Sequence, residues 1–204
     1  METILSVTLS ILDFELSVTL ATSNADHKLR NASFKSCWFN AADGVSKSWA
    51  MTCYRIGIMA APQEITDQLA KVHQFITTTE PTPMQDAAEE AFKNGDRDAR
   101  EMKAAFKERR DYLYQALTET GFEVIKPQGA FYIWAKIPAG LNQKDTEFVY
   151  ELADQAHVGV CAGSWFAKGG QGWLRFSYAT ALDEIKEGVS RIKKFVEENK
   201  NDGK

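Results

Sequence analysis

The chain has 204 residues, with 24 Lys and Arg against 28 Asp and Glu and a formal net charge of -4. At 44% hydrophobic, 11% aromatic and 25% charged, its composition is that of a globular protein and excludes a disordered one. The acidic balance gives no electrostatic case for nucleic acid, and no stretch reaches the roughly 20 apolar residues of a membrane span.

Residues 1–43 read differently from the rest. Apolar residues alternate at Leu5, Val7, Leu9 and Ile11, then slip by one and resume at Leu12, Phe14, Leu16, Val18 and Leu20. Period two predicts strand. No Gly, Asn or Pro separates the halves, so a tight hairpin is poorly signalled and one long bulged strand is the competing reading. Glu2, Asp13 and Glu15 interrupt the segment, and no basic stretch precedes it, so it is not a secretory signal. Residues 21–43 show no periodicity.

From Gly44 the chain is well punctuated. Tyr54–Ala60 predicts a buried strand, and Ile65, Leu69, Val72 and Ile76 fall at helical spacing. Thr82-Pro83-Met84-Gln85 has the form of a capping box, and the helix it opens should end near Gly95. Residues 96–120 predict a charged helix with Phe106, Leu113 and Leu117 on one stripe and Gly121 as its cap. Strands follow at 122–125 and 130–137, then a helix at 145–156. Short strands at 158–161 and 173–178 flank the Gly-rich 163–172 loop, in which Gly169 to Gly172 predicts a flexible turn. Thr180 to Asp183 forms a second capping box. Leu182, Ile185, Val189, Ile192 and Val196 line the last helix. The sum is a mixed α/β fold.

Cys37, Cys53 and Cys161 include no C-x-x-C pair, and His27, His73 and His157 have no metal-ligand spacing. Reduced thiols and no metal are the expectation. Cys53 suggests packing, and His73 a structural role on its helix.

Gly44-Val45-Ser46-Lys47 followed by Arg55-Ile56-Gly57 is the most informative stretch. A lysine in a semi-apolar site beside another cation can present a free amine for Schiff-base chemistry. Hydroxyls with a forked guanidinium suit a phosphate. Spacing alone favours the plainer reading of Lys47 and Arg55 as solvated loop charges. Arg175 shares a strand face with Trp173 and Ser177. On pattern alone it is equally a ligand-binding or a solvated arginine.

Gly44, Val45, Ser46, Lys47, Ala50, Met51, Arg55, Ile56 and Gly57 resemble the lysine motif of class I/II, fold-type I, pyridoxal-phosphate aminotransferases. Cys53 departs from it where Gly is usual. If that Gly needs a positive φ, Cys53 strains the backbone. Met59 to Pro62, Gln128 to Tyr132, Val160 to Phe166 and Gly172 to Ser177 resemble further family motifs in the family's order, so the resemblance covers residues 44–197.

The resemblance implies a PLP-transferase-like α/β fold. Residues 1–43 lack a family match, residues 44–95 close the large cofactor-binding domain, and residues 96–204 form an α+β small domain. It implies pyridoxal 5'-phosphate as cofactor and amino-group exchange between an amino acid and a 2-oxo acid. Lys47 is implied as the catalytic and cofactor-carrying lysine. Arg55 is implied at the cofactor phosphate with Ser46 a minor contributor, and Arg175 at the substrate carboxylate. Gly44 stands where the family often has a hydroxyl.

A cytoplasmic homodimer without nucleic-acid or membrane partners follows from the same resemblance. Residues 1–43 hold no convincing copy of the family's stacking aromatic, Asn or pyridine-binding Asp. Asp13-Phe14-Glu15 sits near the distance of an acidic family element, but its neighbours do not fit. The expectation is therefore a truncated form, with residues 1–43 a divergent, recombined or out-of-frame segment. A fold-type I carbon–sulfur β-lyase, which shares the lysine and both arginines, and a catalytically inactive fragment are the alternatives.

Overall fold

In the computed structural model, residues 4–11, 14–21 and 41–200 are described, with side chains from Gly44 onward except that of Ala60. His27 and Cys37 lie outside the described residues. The chain divides into two compact units, residues 1–101 and 102–204. Among the described residues no helix is long and apolar enough to cross a membrane.

The first unit holds a four-stranded sheet ordered β1-β2-β4-β3. Strands β1 (Ile4–Ile11) and β2 (Phe14–Ala21) form an antiparallel hairpin that ends on the pair Ile11 and Phe14. This replaces the single bulged strand as the reading. The phase slip itself was the signal. A two-residue connection makes opposite residues differ in parity, so Leu5 faces Leu20, Val7 faces Val18 and Leu9 faces Leu16. Strand β2 runs parallel to β4 (Ile56–Ala60), and β3 (Ala41–Gly44) pairs antiparallel with β4. The sequence does not announce β3, because Ala-Ala-Asp-Gly has low strand propensity. Its pairing with β4 makes the strand.

Helix α1 (Val45–Ser48) is one turn long. A 3-10 turn, Thr52–Tyr54, follows it, so the strand expected from Tyr54 begins at Ile56. Helix α2 spans Gln63–Ile76 and packs on β1. Its buried residues are Thr66 and His73, while Val72 and Ile76 are half exposed and Phe75 is 84% exposed. The buried line is therefore rotated off the expected 65/69/72/76 stripe. The Thr66 hydroxyl anchors that line by donating to the Ala61 carbonyl at 3.2 Å. His73 lies 4.0 Å from Glu80, and both side chains are buried. Burial lowers the His73 pKa, with the Glu80 carboxylate opposing. The structural reading of His73 fits that burial.

Helix α3 spans Thr82–Asn94, with Pro81 rather than Thr82 at its cap. No capping box forms. Gln85 instead donates to the Glu80 carbonyl at 2.8 Å. The helix ends at Gly95, as expected. Among the described residues, Val45, Ile56, Ala88 and Ala91 form a buried cluster in this unit, with Trp49, Met51, Met84 and Phe92 against it.

Helix α4 (Asp96–Glu119) ends at Gly121, whose φ of 99° is the left-handed cap the sequence predicts. Most of α4 belongs to the second unit. That unit's antiparallel sheet is ordered β5-β6-β8-β7: Glu123–Ile125, Tyr132–Lys136, Trp173–Ser177 and Cys161–Ala162. Helices α5 (Asp145–Ala156) and α6 (Leu182–Asn199) complete it.

Burial alternates along β6 and β8. Ile133, Ala135, Leu174 and Phe176 enter the core with Leu117, Phe148, Leu152 and Ile192. Each large side chain fully buried there contributes about 1.5–3 kcal/mol over exposure. The Tyr178 hydroxyl donates to the Ala130 carbonyl at 2.9 Å and pins the turn before β6. Ile185, Val189, Ile192 and Val196 on α6 are buried as predicted. Its cap is Ala181, while the Thr180 hydroxyl donates to Glu184, so the second capping box is also absent.

Candidate active site

Three of the residues singled out from sequence, Ser46, Lys47 and Arg55, lie in the first unit. Gly44 pairs with Gly57 across β3 and β4, and a Cβ on Gly44 would sit 3.2 Å from the Ile56 carbonyl oxygen. That close approach suits glycine rather than a hydroxyl residue. Val45 is the one buried residue of α1, Ser46 is partly buried and Lys47 is exposed. The single turn that buries Val45 leaves the Lys47 side chain exposed.

The turn is held from both sides. The Val45 carbonyl accepts from Trp49 N–H at 3.2 Å and Met51 N–H at 3.4 Å. The Trp49 indole donates to the Gly95 carbonyl at 2.9 Å, with its ring edge-on to Phe92 at 5.0 Å. Arg55 ends the 3-10 turn in the left-handed region, at φ 59° and ψ 32°. Its guanidinium donates to the Thr52 carbonyl at 3.0 Å, so it stays on the loop that follows Lys47. The other left-handed residue in this loop is Ala50, at φ 55°. Cys53 does not have a positive φ, so the strain expected there is absent. It is also exposed rather than packed.

Arg175 lies in the second unit, on the sheet face opposite the core. It is opposite Trp134 on β6 and Cys161 on β7. Its guanidinium carbon is 4.2 Å from the centroid of the Tyr132 ring and 4.2 Å from that of Phe166. One N–H reaches the Cys161 sulfur at 3.6 Å. Among the described residues no carboxylate pairs with it.

The loop carrying Phe166 depends on a residue the sequence reading missed. Asp145, the first residue of α5, is buried and accepts the Ser164 N–H at 2.7 Å. Burial pushes its carboxyl up, but the Ser164 and Gly172 donors outweigh this and hold it below the ordinary carboxylate range. An acidic residue opening a helix looks like an ordinary dipole partner, so the sequence does not announce this tie.

Gly163 and Gly170 in this loop are required by close approach. A Cβ on Gly163 or Gly170 would fall well inside contact distance of the other's carbonyl oxygen. Gly170→Ala should destabilise the second unit by about 1–3 kcal/mol through forced overpacking. Denaturant unfolding should show a lower midpoint in Gly170→Ala and almost none of that loss in Gly169→Ala, where a Cβ meets nothing within 4 Å.

The family model for aminotransferase class I and II matches residues 35–192, starting upstream of Gly44. The chain is 39% identical over 154 residues to the probable N-acetyl-LL-diaminopimelate aminotransferase of Bacillus subtilis, covering 76% of this chain and 39% of that protein. It is 36% identical over 165 residues to aromatic-amino-acid aminotransferase 2 of Thermococcus litoralis, covering 78% and 41%. The solved aromatic aminotransferase from Pyrococcus horikoshii OT3 superposes with a TM-score of 0.72 at 34% identity, covering 78% of this chain and 43% of that one. The chain thus spans about two fifths of the length of the curated relatives it matches. Its mixed helix-and-sheet architecture is the α/β, PLP-transferase-like fold expected from the sequence. With this extent of match in sequence and fold, the chain belongs to the aminotransferase class I and II family.

Proposed function

We propose that this chain carries the C-terminal part of a pyridoxal-phosphate-dependent aminotransferase, which exchanges an amino group between an amino acid and a 2-oxo acid. The observation that carries the reading is Arg175. It is a partly buried guanidinium with aromatic rings beside it and no acidic partner among the described residues. Such a group suits a carboxylate, which both amino acids and 2-oxo acids bear.

The donor set near α1 fits the cofactor. The exposed amine of Lys47 suits an aldehyde, and the Arg55 guanidinium with the Ser46 hydroxyl suits a phosphate. When bound, pyridoxal phosphate supplies the electron sink that allows an amino acid to lose its α-proton. In this reading the Lys47 amine would hold the cofactor, then move the proton from the substrate α-carbon to the cofactor's C4′, as general base and then acid. Arg55 keeps the phosphate end in place. Arg175 grips the carboxylate and so fixes which face of the α-carbon is presented.

Residues 44–95 would close the large domain and residues 96–204 form the small one. A cytoplasmic homodimer is the setting this reading carries. The test is to incubate the full chain with pyridoxal phosphate, a panel of amino acids labelled with 15N on the α-amino group, and a 2-oxo acid. The expected result is 15N in the amino acid formed from the 2-oxo acid. Ammonia release without an acceptor, or no transfer with any pair, overturns the reading.

A further inference from the structure

We propose that Tyr132 and Phe166 are positioning residues that hold the Arg175 guanidinium ready for a carboxylate. This rests on the reading of Arg175 given above. An arginine on the open face of a sheet samples many rotamers, and ordering it costs entropy each time it binds. Here two rings approach its guanidinium carbon equally closely, at 4.2 Å each. They come from separate elements: Tyr132 from β6 and Phe166 from the turn after β7.

The rings are themselves fixed. Tyr132 adjoins Phe131, with centroids 4.7 Å apart, and Phe166 stands edge-on to Trp134 at 5.4 Å. The turn before Phe166 is tied down by the Ser164 bond to Asp145.

The choice of rings has a chemical consequence. Asp or Glu would hold an arginine as firmly, but would occupy the N–H fork that a ligand carboxylate needs. A ring attracts the cation through its π face and takes up no N–H donor. Among the described residues, only the Cys161 sulfur, a weak acceptor, receives an Arg175 N–H. The arrangement orients the guanidinium while leaving its fork available.

The experiment uses the full chain with 15N-labelled arginine. The Arg175 Nε–H signal is identified by its loss in Arg175→Lys. In the wild type it should be displaced upfield by the two rings. It should move towards the free-arginine position in Phe166→Leu and in Tyr132→Leu, and stay in Phe166→Tyr and Tyr132→Phe. Propionate is then titrated, with propionamide as the uncharged control. The Leu variants should bind propionate roughly tenfold more weakly, the loss expected from removing one such ring contact. The conservative variants should bind it as the wild type does. If both Leu variants keep the signal position and the affinity while Arg175→Lys loses binding, the positioning role falls and the carboxylate reading stands. If Arg175→Lys binds propionate like the wild type, or the wild type binds none, the carboxylate reading falls and takes the positioning role with it.

Discussion

Lys47→Arg should abolish the visible absorption band that pyridoxal phosphate develops with the wild-type chain, and leave unfolding within about 0.5 kcal/mol of wild type. The two halves of this expectation have separate causes. Lys47 is exposed on a one-turn helix whose only buried residue is Val45. The turn is anchored by the Val45 carbonyl and the Trp49 indole, neither of which the substitution touches. Arginine has nearly the helix propensity of lysine and keeps the charge. It cannot act as a neutral amine towards an aldehyde, because the guanidinium does not deprotonate in proteins. Lys71→Arg, on the exposed side of α2, should keep the band. A band of wild-type strength in Lys47→Arg would assign the attachment to another lysine.

Features of the fold that depend on neighbours in sequence were legible. The α6 stripe from Ile185 to Val196 is buried, Gly121 takes the left-handed cap, and β6 and β8 alternate as the letters suggest. The capping boxes at Thr82 and Thr180 were not. A hydroxyl three residues before Gln or Asp has the right spacing, yet Pro81 and Ala181 already had extended backbone and took the cap positions. On α2 the apolar letters suggested one face, but Thr66 and His73 are the residues the packing buries.

The candidate site divides in the same way. The sheet face that Arg175 takes was legible, because burial alternates along its strand as the letters do. Its contacts were not, because Tyr132, Phe166 and Cys161 reach it only through the pairing of β6, β8 and β7 and the turn after β7. The exposure of Lys47 was equally hidden, since it follows from how one short turn buries Val45.

A large loss of stability from a single polar side chain is expected at Asp145. Asp145→Ala removes the acceptor of the Ser164 N–H and leaves that donor without it. A donor stranded in this way costs about 1–3 kcal/mol, the loss expected at neutral pH. Asp145→Asn keeps the shape and an acceptor oxygen, and should lose less. Acid titration separates charge from shape. The donors hold the folded carboxyl below its ordinary value, so the stability it contributes is fully present above an unfolded pKa of about 3.9. It is lost as pH falls through the lower folded value. The gap between wild type and Asp145→Asn should therefore be constant from neutral pH down to about 5 and close progressively below about 4. Unfolding curves collected at a series of pH values would read this directly. A gap that persists unchanged into acid would mean that Asp145 acts through its shape alone, and that the 163–172 loop is not held by a carboxylate charge.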